Sequence, residues 1–266
     1  FSSIYGIVDG FFVSNYVGKT PFAALNFIMP VLMILGCIGF MFGTGGSAII
    51  SKLFGEKNNQ KANEIFSMNI FVSVALSIIL GVLGFIFLPQ IGYLLGARGE
   101  MLSYSAIYGR IIIAALPFYI LQYEFQCLFA TSEKPKMGLY VTLAAGFANM
   151  ILDWLFVAVF SFGLVGAAVA TAISQFVGGI IPLIYYLRKN TSLLRLCKFK
   201  FDGKSLLKTC ANGSSEFMSN ISMSLVSMLY NYQLMKYAGE DGVAAYGVLM
   251  YVCLLYTSPS PRDVEE

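Results

Sequence analysis

The feature that most limits how this chain can fold is a series of long apolar segments broken only by short polar turns. Apolar spans cover about residues 1–18, 21–50, 64–91, 102–130, 137–160, 164–187 and 213–237, and another begins near residue 243. A helix crosses the hydrocarbon core of a bilayer with about 20 apolar residues, because only a helix or a closed barrel satisfies its own backbone there. The longer spans exceed that length and so must tilt or protrude. Charged residues make up 12% of the chain against 58% hydrophobic, and the mean hydropathy is +0.74. That charged fraction is about half that of a soluble domain. The predicted class is an all-α polytopic membrane protein.

The basic residues set an orientation. Lys52, Lys57 and Lys61 lie in loop 51–63, Lys134 and Lys136 in loop 131–136, and seven more, from Arg188 to Lys208, in loop 188–212. The opposite turns carry Lys19 and Arg98. This bias predicts that loops 51–63, 131–136 and 188–212 face the cytoplasm and that spans 1, 3, 5 and 7 run outward. The long basic loop reads as a topology anchor on anionic lipid, in part as an interfacial helix. A nucleic-acid role does not suit such a context.

Enzyme chemistry finds little support. The chain has no His and five Cys, without a CxxC or a Cys/His ligand spacing, so zinc, haem and disulfide readings are weak. The "GTGGS" at 43–47 lacks the GKS or GKT ending of a phosphate loop and lies at the inner end of an apolar span, which points to helix packing.

An internal repeat appears on shifting the chain by 221 residues. "YVGKTPFAALNFIMPV" (16–31) then lies on "YAGEDGVAAYGVLMYV" (237–252), with six of sixteen positions identical. Both copies cover an outer turn between an outgoing and a returning span. Spans 1 and 7 share an orientation, so the repeat is parallel, with a pseudo-two-fold axis along the membrane normal. This predicts a six-helix first lobe over 1–187, the basic connection 188–212, and the first one to two helices of a second lobe over 213–256. The chain opens without Met inside an apolar segment and reads as cut at the front. "TSPSPRDVEE" reads as a tail over 257–266 foreign to the fold.

Carboxylates inside the spans are Asp9, Glu124, Asp153 and Glu216. Each costs at least about 2.5 kcal/mol at membrane depth, so such groups normally face a bundle interior, a partner or water. Counted at 1.5 Å per residue from the outer ends of their spans, Asp153 and Thr171 lie about 10 Å deep and Asp9 about 13 Å. Asn149 is one turn further in than Asp153, on the same face. Spans 5 and 6 are joined by a very short turn and must be neighbours. Small residues at 163, 166, 167, 170 and 174 let their backbones approach. Two acids, an amide and a hydroxyl from three spans thus converge in the outer half of the first lobe. Hard oxygen donors suit Na+ or a proton. Two nearby carboxylates with little water cannot both ionise easily, and a cation or proton would neutralise the pair. Elsewhere, Glu124 is expected to reach water at the inner end of span 4, and Arg110 to snorkel or pair with an acid. Glu216 is expected as a helix-start carboxylate of span 7. Asn231 lies in the outer part of span 7 beside Tyr230, the repeat partner of Asp9, so a cation site would be confined to the first lobe.

These residues carry a resemblance. "IYGIVDGFFVSNYVG" (4–18), "GTGGSAIISKLFGEKNNQKANEIF" (43–66), "ANMILDWLFV" with "GLVGAAVATAISQ" (148–157 and 163–175), and "NGSSEFMSNIS" with "VAAYGVLMYV" resemble segments of the multidrug and toxic compound extrusion (MATE) transporters, in their bacterial and archaeal branch. The resemblance runs over about residues 1–255 and is most specific across spans 5 and 6. It implies twelve spans in two six-helix lobes, of which this chain holds the first and the start of the second. It also implies alternating access and export of cationic or amphipathic compounds from a monomer in the plasma (inner) membrane, driven by Na+ or H+, with no other cofactor. The cation site it implies comprises Asp9, Asn149, Asp153, Thr171 and the backbone carbonyl of Ala167. Tyr5 matches a residue of the same lobe's hydrogen bonding, and Glu216 and Asn231 are further candidates for substrate contact or gating. The runner-up is a lipid-linked oligosaccharide flippase of the same broader superfamily, which would need a basic central cavity.

Overall fold

The computed structural model describes residues 2–188 and 190–257, with side chains described from Ile7 to Cys253. Helix α1 (Ser2–Phe12) runs on into a π-helical segment, Val13–Val17. Helices α2 (Lys19–Gly55), α3 (Asn59–Leu94), α4 (Gly99–Ala114) and α5 (Leu116–Thr131) follow. Then come α6 (Pro135–Asp153) with a π-helical extension Trp154–Val159, α7 (Gly163–Leu187) and α8 (Gly203–Thr257). No strand occurs among the described residues. "Outer" below means the end that bears the Gly18 and Gly239 turns.

Four helices are long and apolar enough to cross a bilayer: α2, α3, α6 with its extension, and α7. The expected span over 102–130 is instead a pair, α4 and α5, bent by 59°. Pro117, in the first turn of α5, has no N–H to continue the helical ladder of α4. The stretch expected as spans 7 and 8 does not reach that apolarity, because Ser, Asn and Glu216 dilute it. Its hairpin shape is nonetheless present. Gly239 breaks α8 with φ 64° and ψ −154°, and the Tyr230 and Tyr246 rings stack 5.7 Å apart across the turn.

The connection before α8 also differs from expectation. Helix α8 begins at Gly203, inside the expected loop 188–212, because Asp202 caps it. Asp202 Oδ1 accepts from the Lys204 and Ser205 N–H groups, and Oδ2 accepts from the Ser205 hydroxyl at 2.7 Å. The Ser205 bonds hold the Asp202 carboxyl below its usual range. The basic segment before it is not an interfacial helix. It lies as irregular chain against the start of α3, where the Arg195 N–H donates to Asn63 Oδ1 (2.7 Å) and the Cys197 N–H to Ser67 Oγ (2.9 Å).

Burial explains the arrangement. Helix α3 is the most hydropathic of the spans and the least buried, with Ile78, Val82, Phe85 and Ile86 exposed. Such a face belongs in lipid. Helix α5 is the axis of the bundle, approached on two sides through glycine. A Cβ on Gly39 of α2 would lie 2.7 Å from the Ile120 carbonyl oxygen, and one on Gly179 of α7 would lie 2.7 Å from that of Phe118. The "GTGGS" glycines serve three neighbours, since helical positions 43, 45 and 46 point in different directions. Gly43 faces Cys127 and Glu124 of α5, Gly45 faces the Thr209 carbonyl of α8, and Gly46 faces the Asn69 amide of α3. These are packing glycines.

The repeat is written in the contacts. Gly18 and Gly239, equivalent at the 221-residue shift, both have positive φ, 116° and 64°. Lys19 pairs with Asp241, and the Thr20 hydroxyl donates to Glu240 Oε2 at 2.7 Å. The mate of Lys19 is Glu240 and that of Thr20 is Asp241, so the two contacts are exchanged by the pseudo-two-fold, as in an isologous interface. Asn26 packs on its own mate, Gly247, as only a residue beside the axis can. The outer end is closed at this point.

Candidate functional site

The site is built where α1, α6 and α7 meet, with α4 and the end of α8 closing it. Helix α1 packs against α6, and α6 against α7. The α6–α7 connection is tight. Ser161 and Gly163 adopt positive φ (54° and 61°), and a Cβ on Gly166 would lie 3.0 Å from the Phe156 carbonyl oxygen. Close approach through small residues therefore sets Asn149 and Asp153 against Thr171.

The structure brings the expected side chains together and buries them. Asp9 is 5% exposed, Asn149 1% and Asp153 0%. Asn149 Nδ2 donates to Thr171 Oγ1 at 3.4 Å. Asp153 lies within electrostatic reach of Asp9. Ala167 is fully buried in the apolar cluster that also holds Val13, Val157 and Leu164. Asp9 Oδ1, Asn149 Oδ1 and both carboxylate oxygens of Asp153 are buried without a hydrogen-bond partner. Unpaired buried oxygens are costly, by about 1–3 kcal/mol each or more for a charged group. A cluster of four in one place is therefore a donor set with spare capacity for a cation or protons.

Both acid-bearing helices widen to π geometry just outside the acid: Val13–Val17 follows Asp9 by one turn, and Trp154–Val159 begins immediately after Asp153. π segments recur at functional sites because the extra residue per turn loosens the ladder. Two aromatic residues complete the shell, and the sequence reading missed both. Tyr108 of α4 is fully buried and faces Asp9, Asp153 and Thr171. Tyr251, in the returning arm of α8, lies within electrostatic reach of Asp9, and its ring rests on Gly10 at 2.7 Å from where a Cβ would stand. Their signal in the sequence is depth alone: each is a phenol well inside an apolar stretch.

Other expected residues lie elsewhere. Asn231 is buried against α2, its Nδ2 donating to the Asn26 carbonyl at 3.2 Å. Glu216 is exposed and sits well inside α8 rather than at a helix start, because the helix is capped at Asp202. The Tyr5 side chain and residues 258–266 of the tail lie outside the described residues. Among the described residues Arg110 pairs with no acid; it is exposed, its guanidinium 5.2 Å from the Phe85 ring centre. Glu124 does not reach water but is fully buried.

Comparison with known proteins decides the family. The MatE family model matches residues 1–155, more than half of the chain. The chain belongs to the MATE family. The MATE chain is 30% identical to the multidrug export protein MepA of Staphylococcus saprophyticus over 248 residues, 93% of this chain and 55% of that protein. It is 29% identical over the same length to MepA of Staphylococcus aureus. It thus spans about half the length of the curated relatives it matches. Among solved structures it is similar to an inward-facing MATE transporter of the MOP superfamily, with a TM-score of 0.90 at 21% identity, covering 96% of this chain and 58% of that one. An outward-facing conformation scores 0.84 at 21% identity, over 96% and 56%. The MATE transporter DinF-BH, solved with R6G, scores 0.88 at 25% identity over 96% and 57%. In this MATE chain Asp9, Asn149 and Asp153 fall inside the matched 1–155, whereas Ala167 and Thr171 lie beyond it.

Proposed function

We propose that the MATE chain is part of a secondary transporter of the plasma membrane that exports cationic or amphipathic small molecules in exchange for Na+ or H+. The observation that carries the reading is the buried pair Asp9 and Asp153, with four unpartnered oxygens among Asp9, Asn149 and Asp153. Two acids this close in a low-dielectric surrounding repel when both are ionised, so the pair favours one bound cation or proton. Thr171, the Ala167 carbonyl and the Tyr108 hydroxyl supply further oxygen donors. Occupancy draws α1 and α6 together; its loss drives them apart, and the π segments beside each acid give both helices room to adjust. The contacts Lys19–Asp241 and Thr20–Glu240 hold the outer turns together, and an exporter would have to part them to open outward. A drug substrate fits with relatives named as multidrug exporters and with DinF-BH, solved with R6G. A flippase would need a basic central cavity, whereas the mid-span Arg110 is exposed beside Phe85 of α3, which supports the export reading.

The test is efflux of a fluorescent cationic dye from vesicles holding the full-length protein, with Na+ and pH gradients imposed separately. One gradient alone should drive efflux, and Asp9→Asn should abolish that driven component. Undiminished efflux by Asp9→Asn would sink the mechanism.

A further inference from the structure

A further buried carboxyl group lies in the inner half of the bundle, outside the site above. Glu124 of α5 is 0% exposed, and its Oε1 has no hydrogen-bond partner. Among the described residues the ion pairs are Lys19–Asp241 and Lys52–Glu56, so no cation offsets it. Its neighbours come from α3 and α2. Ser73 of α3 places Oγ 2.6 Å from Glu124 Oε2. Asn69, one turn from Ser73 on the same face of α3, is 1% exposed with both amide atoms unpaired. On α2, Gly43 and Gly46 let that helix close tightly on Glu124 and Asn69: a Cβ would stand 3.1 Å from Glu124 Cα and 2.7 Å from Asn69 Nδ2. The other titratable groups at this seam are the Cys127 thiol, on the same helix, and Glu216 of α8, both within electrostatic reach of each other.

Hydrogen accounting at Ser73 decides the chemistry. The hydroxyl has one hydrogen and stands 3.0 Å from the Ile70 carbonyl oxygen, the usual back-bond of a serine within a helix, as well as 2.6 Å from Glu124 Oε2. Two acceptors cannot share one hydrogen at full strength. If Ser73 donates to Ile70, the short contact to Glu124 is satisfied only by a hydrogen on the carboxyl itself. A neutral acid also removes the cost of a buried, unpaired charge, and a separation of 2.6 Å is normal for an O–H donor.

We propose that Glu124 is a second proton-binding site, held as a neutral carboxylic acid that donates to Ser73, and served from the inner face past Cys127 and Glu216. The site takes a proton and not a metal cation. Among the described residues Glu124 is the acid in contact with Ser73, and Asn69 gives a neutral amide. Glu216 is exposed and stands on α8, across the seam from α2, so separation of α8 from α2 opens the way to the acid. The assignment stands on the Glu124 surroundings and does not depend on the transport reading.

The test is infrared difference spectroscopy on the whole chain in lipid nanodiscs, with 13C in the glutamate side-chain carboxyl so that the bands of Asp9 and Asp153 do not move with the label. A protonated-acid carbonyl band that shifts with the label is expected at neutral pH, and its loss in Glu124→Gln. In Ser73→Ala, which keeps the acid, the same band should remain and move to higher frequency as its hydrogen bond is lost. In Glu216→Gln, exchange of that proton for deuterium should slow. A labelled carboxylate band at neutral pH with no acid band, whether or not it responds to Na+, overturns the proposal. So does an acid band that survives Glu124→Gln.

Discussion

Asp9 and Asp153 in the outer half meet with four buried oxygens unpaired among them and Asn149, whereas Glu124 in the inner half has a seat on Ser73. The helices around them are joined in equally different ways. At the outer end α2 and α8 are tied by polar contacts between exposed turns, the Lys19 and Asp241 side chains being 58% and 72% exposed. At the inner end they cross backbone to backbone, Gly45 on the Thr209 carbonyl and Gly213 on that of Met41. The outer half therefore gathers unmet oxygens on two acids and is closed by solvated side chains. The inner half is sterically fitted, and its buried acid has one of its two oxygens seated on Ser73. A device that opens and closes at its outer end would place its ion chemistry in the former.

The largest effect should come from the steric crossing. Gly213→Val has no room against Met41, and overpacking of this kind costs about 1–3 kcal/mol or more. A fall in melting temperature in detergent is expected; an unchanged melt would show that the inner end is as loose as the outer. Next, Ser73→Ala removes the partner of Glu124 and leaves a buried carboxyl unpaired, at a cost of about 1–3 kcal/mol. If chemical denaturation finds no loss, the two halves do not differ in how they treat an acid. The smallest effect belongs to the outer tie. Lys19→Ala should cost less than about 1 kcal/mol, because both partners are largely solvated and the pair is screened. A larger loss, or one insensitive to salt, would mean that the outer closure holds more than its geometry suggests.

Much of the site was legible because membrane burial makes polar residues conspicuous. Asp9, Asn149, Asp153 and Thr171 stand out against apolar spans, and helical rise alone gave them similar depths. The repeat was readable for a similar reason. Gly18 and Gly239 mark the same outer turn, and their positive φ values are a demand that glycine meets most readily. Tyr108 and Tyr251 were not legible, since a tyrosine inside an apolar span carries no sign of which neighbour it faces. Glu124 was misjudged from its distance along the span. Counting residues gives depth but not whether a helix face meets water, α3 or α2.

What the amino-acid order settled was the class of fold, and it pointed to the positions of the apolar helices, the paired outer turns and the polar residues that cluster between α1, α6 and α7. Those follow from period, hydropathy and charge, which are local sums along the chain. The tertiary structure alone decided the rest. The α4–α5 bend, the π segments beside both acids and the capped start of α8 at Asp202 each depend on which backbone groups find partners. The glycines of "GTGGS" became seats for α5, α8 and α3 only once those helices were packed around them. The fate of Glu124 turned on one hydroxyl hydrogen, on a helix 51 residues away in the chain.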